Sequence, residues 1–326
     1  MGANMPTLFP AGNFSRRRFV GCSTSSLALA MASARAQSVV SATPEAQKIA
    51  AATDLNSHLT VQLSINGQGP FRFVVDTGAD RTVISDEVAA SLGLIRGPIV
   101  NVEGVVRTVP APTVKLGEMT VGPVRKENLV VPVLPSGLLR ADGYLGLDVI
   151  DGSRVTFDFR NRVLIVEPSR PAAIYGYTRP NVVVVPVFGT AGRLRASNCR
   201  IDGVMTTTIV DSGAEVSVGN SKLLEALSES DPSYLKQGTI MLSGVTGGTI
   251  PGRITDINRI RIDNLWLYKS KVVISDLQIF DLWGLSDKPA LLIGMNFLRA
   301  FNRVTIDYGR KELRFDFASL MVARRA

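Results

Sequence analysis

The chain has 326 residues, 45% of them hydrophobic and 20% charged, which excludes global disorder and leaves room for two domains with their own cores. Its formal net charge of +8 is partly local, because Arg16, Arg17, Arg18 and Arg35 fall in the first 36 residues, which contain no acid. Beyond them 32 basic residues face 28 acidic ones, a mixed, solvated surface that argues against a nucleic-acid partner.

Residues 1–36 read as an address. Ser15-Arg16-Arg17-Arg18-Phe19 opens a mildly apolar, serine-rich stretch, and Ala34-Arg35-Ala36 supplies a small-x-small cleavage site before Gln37. The arginine pair resembles a twin-arginine export signal, so the expected location is periplasmic or secreted; a Sec-type signal or an uncleaved anchor has the same features. No later run of about 18 apolar residues exists, so no stable span is expected in the mature chain. Cys22 lies in the signal and leaves Cys199 alone, so no internal disulfide is expected. Residues 37–54 read as a flexible, polar lead-in.

From there the chain repeats itself. Phe73-Val74-Val75-Asp76-Thr77-Gly78-Ala79-Asp80 aligns with Thr208-Ile209-Val210-Asp211-Ser212-Gly213-Ala214-Glu215. Each aspartate is preceded by a hairpin signal, Asn66-Gly67 or Asp202-Gly203, and followed nine residues later by a helix-capping type, Ser85 or Asn220. Apolar residues at helical spacing come next, Val88 and Leu92 or Leu223 and Leu227. Strand-rich sequence follows, such as Leu129–Val133 and Lys271–Ile274. Each copy then closes on an apolar-Gly element, Leu145-Gly146 or Ile293-Gly294, and on Val155–Phe159 or Val304–Tyr308 leading into a last strand. The units span 55–167 and 181–318, joined by a linker at 168–180 and followed by a tail at 319–326. Short strands, frequent turns and scarce helix predict an all-β chain of two closed sheets.

A duplicated Asp-Thr/Ser-Gly after an apolar strand resembles the active-site signature of the aspartic protease clan, over nearly the whole mature chain. The Asp-Thr-Gly-Ala-Asp context is similar to the retropepsins, and the fusion of two units to the pepsins. The resemblance implies two homologous β-barrel-like lobes of the acid protease fold with short helices and the active site between them. It implies an endopeptidase in which Asp76 and Asp211 activate water, supported by Thr77, Gly78, Ala79, Ser212, Gly213 and Ala214. Two carboxyls about 3 Å apart share one proton and so supply both base and acid, which needs neither cofactor nor metal. Glycine at 78 and 213 lets the two loops approach closely, and the resemblance implies that the hydroxyls of Thr77 and Ser212 interlock them.

Further residues follow from position. In the retropepsins the aspartate equivalent to Asp80 contacts substrate backbone and anchors to an arginine near the later glycine; here Leu147 and Met295 follow the glycines and that arginine is missing. Asp80 and Glu215 are therefore candidates either for substrate contact or for helix capping. Hairpins with Gly104 and Val105, and with Gly244 and Val245, are candidate flaps over an extended peptide or protein substrate. Neither carries the tyrosine of the pepsins. With both aspartates in one chain, the expected state is a monomer built as an intramolecular pseudo-dimer. The lone His58 excludes a histidine metal cluster and argues against a Ser-His-Asp triad. The competing reading is a non-catalytic envelope module of the same fold that binds peptides or acts as a scaffold.

Overall fold

A computed structural model describes residues 47–53, 59–170, 181–189, 194–196, 198–235 and 238–317. The expected export signal, the lead-in before residue 47 together with residue 54, His58, residues 171–180 of the linker and the tail at 319–326 lie outside the described residues. Strands dominate, and the longest described helix is Ser221–Ser230. The chain forms two β-barrel-like lobes with few, short helices.

Each lobe opens with a tight hairpin. Leu59–Ile65 turns at Asn66-Gly67 into Gln68–Val75, and Cys199–Ile201 turns at Asp202-Gly203 into Val204–Met205. The turn residues have φ of 51° and 75° in the first hairpin and 44° and 96° in the second. Two-residue turns with positive φ match the twist of the strands that they join.

The strand entering each aspartate, Gln68–Val75 or Thr207–Val210, pairs in parallel with a later strand, Gly143–Leu145 or Ala290–Ile293. Parallel neighbours require a long crossover. In the first lobe it runs through helix Asp86–Ser91, strands Arg96–Glu103 and Thr108–Val121, and strand Val124–Leu134. The second lobe uses helix Ser221–Ser230, strands Thr239–Ser243 and Thr249–Ile262, and strand Leu265–Ile274. Both helices start where a side chain captures a free amide: Ser85 Oγ accepts from Val88 N at 3.1 Å, and Asn220 Oδ1 from Leu223 N at 3.0 Å. Covered on both faces, Val74, Val75, Ile209 and Val210 are all buried.

The closing strands leave their own lobes. Ser153–Asp158 pairs antiparallel with Arg303–Asp307, and Thr156 faces Thr305, their hydroxyls 2.9 Å apart. Across this central sheet the order is Gln47–Thr53, Val163–Pro168, Ser153–Asp158, Arg303–Asp307, Glu312–Asp316 and Val182–Phe188. Arg303 pairs with Asp158 across the join, and Arg154 approaches Asp307 to 3.5 Å on the other side of it.

One expectation is corrected here. Gln47–Thr53 belongs to the stretch read as a flexible lead-in, yet it is a strand that pairs with both Val163–Pro168 and Leu59–Ile65. It stands 135 positions before Val182–Phe188, the offset that also separates Thr77 from Ser212. Its Gln, Lys and Ala content shows no apolar alternation, and backbone bonds to two partners hold it. Among the described residues no helix is long and apolar enough to cross a membrane.

The largest apolar cluster runs from Val61 and Phe73 through Phe157 and Phe315 to Leu223 and Ile260, so it belongs to both lobes and to the sheet between them. Phe315 is fully buried, with its ring centroid 4.8 Å from that of Phe301. Phe315→Ala should cost about 3–5 kcal/mol. Urea unfolding followed by circular dichroism and by the fluorescence of Trp266 and Trp283, both in the second lobe, should give one coincident transition. Two separated transitions would show that the core does not couple the lobes.

Candidate active site

Each aspartate sits just past an apolar strand end, where the parallel neighbour stops. Asp76 N donates to Leu145 O at 3.0 Å, and Asp211 N to Ile293 O at 2.9 Å. The next residues of those neighbours support the loops from below: Leu147 N donates to Ala79 O at 3.0 Å and Met295 N to Ala214 O at 2.8 Å. At Gly146 a Cβ would lie 2.5 Å from the carbonyl carbon of Arg81, and at Gly294 it would lie 2.6 Å from Val216 O. The apolar-Gly elements therefore form the bed of the loops and do not line the cleft.

The two loops are tied to each other by exchange. Ser212 N donates to Thr77 Oγ1 at 2.9 Å and Thr77 N to Ser212 Oγ at 3.2 Å. The same hydroxyls donate onward beneath the opposite strand end, Thr77 to Val210 O at 3.3 Å and Ser212 to Val75 O at 2.7 Å. Both side chains are buried. Close approach brings each carboxyl over the facing glycine: a Cβ on Gly78 would stand 2.7 Å from Asp211 Cγ, and one on Gly213 would stand 2.5 Å from Asp76 Cγ. Any side chain there would drive the carboxyls apart.

Backbone amides aim the carboxyls. Gly78 N and Ala79 N donate to Asp76 Oδ1 at 2.9 and 3.0 Å, and Gly213 N donates to Asp211 Oδ1 at 2.8 Å. Asp76 opens on the cleft, whereas Asp211 is 6% exposed beside it. Burial, the charge of Asp211 and a side-chain hydrogen bond with it push the Asp76 carboxyl well above the ordinary aspartate value, against the lowering pull of the two amides. One proton shared by two carboxyls is what such a pair favours, leaving one group able to donate and the other to accept.

Above the pair lies a cleft of about 660 Å³. Leu134, Leu139 and Tyr144 wall it from the first lobe, and Leu277, Trp283 and Leu292 from the second. The two candidate flaps roof it. Gly104 and Val105 come from the turn after Arg96–Glu103, Gly244 and Val245 from the turn after Thr239–Ser243, and all four line the cleft. The flaps meet tip to tip: Arg107 Nε donates to Thr246 O at 2.9 Å and Thr246 Oγ1 donates back to Arg107 O at 2.8 Å. A Cβ on Gly244 would lie 2.9 Å from Val105 Cγ2.

Asp80 and Glu215 are exposed at the cleft margin. They cap neither helix, because Ser85 and Asn220 hold those positions. Leu147 and Met295, not arginines, follow the two glycines, and a different brace occupies this part of each lobe. Asp148 Oδ1 accepts from Thr82 N at 2.9 Å and Thr82 Oγ1 at 2.7 Å, and Thr82 Oγ1 accepts from Gly146 N at 3.0 Å. In the second lobe Asn296 Oδ1 accepts from Ser217 N at 2.9 Å and Ser217 Oγ at 2.8 Å, while Ser217 Oγ accepts from Gly294 N at 3.0 Å. The sequence reading missed these four residues together with Arg107. A signal existed for the four, since hydroxyls stand six residues after both aspartates and short carboxyl or amide residues two after both glycines.

Cys199 is a free, buried thiol, pushed up to about 11 by burial. Among the described residues no group of three or more His, Cys, Asp or Glu side chains could hold a metal ion.

A family model described as aspartyl protease matches residues 61–149 and 197–297. Among solved structures, the aspartic proteinase from Irpex lacteus superposes with a TM-score of 0.53 at 15% identity, covering 86% of this chain and 99% of that one. That likeness is one of fold. No curated protein sequence matches the chain.

The raised Asp76 carboxyl has a consequence for stability. The native state holds this proton more tightly than the unfolded chain does, so the stabilisation is fully present below the unfolded value near 3.8 and is lost as pH rises through the higher native value. Asp76→Asn is neutral throughout and should escape that loss. Its melting temperature should exceed the wild type's near pH 7, and the advantage should vanish well below pH 3.8. Equal melting curves at neutral pH would show that the folded protein does not raise the Asp76 carboxyl above its ordinary value.

Proposed function

The chain belongs to the aspartyl protease family, and from that premise we propose that it is an endopeptidase that cleaves extended peptides with water activated between Asp76 and Asp211. The observation that carries this reading is the pair of carboxyls, each aimed by backbone amides and drawn together by the exchange of bonds between Thr77 and Ser212. In the proposed reaction the ionised carboxyl takes a proton from water as its oxygen attacks the scissile carbonyl carbon. The protonated carboxyl gives its proton to the carbonyl oxygen, so a neutral gem-diol forms. Collapse of that intermediate breaks the C–N bond. The proton gained from water then passes to the leaving nitrogen, and the other carboxyl recovers its own from a diol hydroxyl. No covalent enzyme intermediate arises.

The roof supports an extended substrate. Among the described residues the strands Arg96–Glu103 and Thr239–Ser243 each pair on one side only, and both lend residues to the cleft lining. An extended peptide can use such free backbone edges and place alternate side chains against the two walls. Asp80 and Glu215, at the margin, suit contact with substrate backbone amides. A single chain supplies both carboxyls, so we read the protein as a monomer in which the lobes act as a pseudo-dimer. The arginines before the apolar stretch support export to the periplasm or medium, with Gln37 as the first mature residue; N-terminal sequencing of the exported protein tests this.

The function is tested with a peptide library and purified full-length protein. The wild type should cleave within peptides, while Asp76→Asn and Asp211→Asn should each lower kcat/KM by about 10³-fold or more with the fold intact. Substantial turnover by Asp76→Asn would end the proposal, and binding without cleavage by the wild type would favour the non-catalytic module.

Two further properties follow from the shared proton and from the single chain. Activity should trace a bell whose limbs both report the one pair, displaced upward from the ordinary aspartate range because burial and Asp211 raise the Asp76 carboxyl; a maximum below the ordinary aspartate value near 3.8, or a rate still rising at about pH 8, contradicts this. Specific activity should stay constant on dilution to roughly nanomolar protein, since the linked lobes see each other at about millimolar effective concentration. A fall on dilution would mean that the working site forms between chains.

A further inference from the structure

We propose that Asp148 and Asn296 are positioning residues, each bracing through one hydroxyl the loop that carries an active-site aspartate. The proposal rests on the Asp76/Asp211 reading of the site. The loop Asp76–Thr82 is held at its start by Asp76 N on Leu145 O and in its middle by Leu147 N on Ala79 O. Its far end is held by Thr82, whose amide and hydroxyl both donate to Asp148 Oδ1 while the hydroxyl accepts from Gly146 N. Thr82 is fully buried, so water cannot replace these partners at no cost. The loop between the anchors contains Gly78 and Ala79, the two amides that aim Asp76 Oδ1. Slack at Thr82 would reach the carboxyl through them.

The second lobe supplies an internal control. Ser217 stands where Thr82 does, Asn296 where Asp148 does, and each of the three bonds has its counterpart. One lobe uses a carboxylate and the other an amide, and the atom they share is an sp² oxygen in the same place. The brace therefore needs that acceptor and not a charge. Burial raises the Asp148 carboxyl above its ordinary value, and Arg81, whose charge pulls the other way, is a side feature of the first lobe.

This predicts an ordered set of variants. Asp148→Ala should lower kcat by roughly 10–100-fold, the scale on which small misplacement of reacting groups acts, with little change in KM. Asp148→Asn, which copies the second lobe, should restore kcat to within about threefold of wild type, and Thr82→Ser should do the same while Thr82→Val should not. A readout independent of activity is amide hydrogen exchange at Gly146, which should quicken by about tenfold or more in Asp148→Ala and return in Asp148→Asn. If Asp148→Ala does not fold, the Thr82 pair carries the comparison. Wild-type kcat in Asp148→Ala overturns the proposal, as does unchanged exchange at Gly146. So does an Asp148→Asn as defective as Asp148→Ala, which would assign the effect to charge beside Arg81. Activity in Asp76→Asn would sink the dyad reading, and the exchange at Gly146 would still report on the brace.

Discussion

Two carboxyl groups repel when ionised and lose hydration when pressed together, so their loops must be held by something stronger than the repulsion. In this protein the holding interaction is the exchange of hydrogen bonds between Thr77 and Ser212. Each hydroxyl takes the other loop's amide and gives its own proton to the carbonyl ending the other loop's strand. Four bonds in a buried place fix two loops from separate lobes as one unit. Gly78 and Gly213 are required by the resulting separation, since a Cβ at either would collide with the opposite carboxyl. The buried strands beneath and the apolar-Gly beds give the unit a floor that does not yield.

That floor is continuous across the molecule. Ser153–Asp158 and Arg303–Asp307 lie side by side in one sheet, and the largest core cluster passes through both lobes. Relative motion of the lobes would have to break strand pairing and expose Phe157 or Phe315, both fully buried. The roof differs in kind. The flap tips are joined by side chains: Arg107 and Thr246 exchange bonds, Val105 packs into the apolar cluster of the second lobe and Val245 into that of the first. Among the described residues no strand pairing links the two flaps, so parting them breaks side-chain contacts, whereas parting the floor would break a sheet. On the proposed reading, a cleft that admits a chain and then holds it against fixed carboxyls needs that difference.

The two lobes repeat a plan but not a surface. Asp76 opens on the cleft where Asp211 is covered, and one wall carries Tyr144 where the other carries Leu292. One brace uses a carboxylate and the other an amide. Duplication keeps the positions of hydrogen-bonding atoms, because these decide the loop geometry, and lets the rest diverge.

The local features were legible because each is written in a few adjacent residues. Asn66-Gly67 and Asp202-Gly203 specify tight turns, Ser85 and Asn220 specify helix starts, and buried strand sequence leads into both Asp-Thr/Ser-Gly triplets. Their recurrence at offsets of 135 and 136 positions also disclosed two similar halves. What stayed hidden depends on segments far apart in the chain. Gln47–Thr53 has no strand pattern of its own and becomes a strand because two partners offer it their edges. The pairing of Thr82 with Asp148 spans 66 positions and that of Arg107 with Thr246 spans 139. Capping by Asp80 and Glu215 was a fair alternative by spacing alone, and the tertiary structure turns both toward the cleft margin. The sequence by itself determined which residues are chemically equivalent in the two halves, since side-chain type and spacing are local. Only the tertiary structure decided which of them touch, because a hydrogen bond between distant segments depends on how the intervening chain packs.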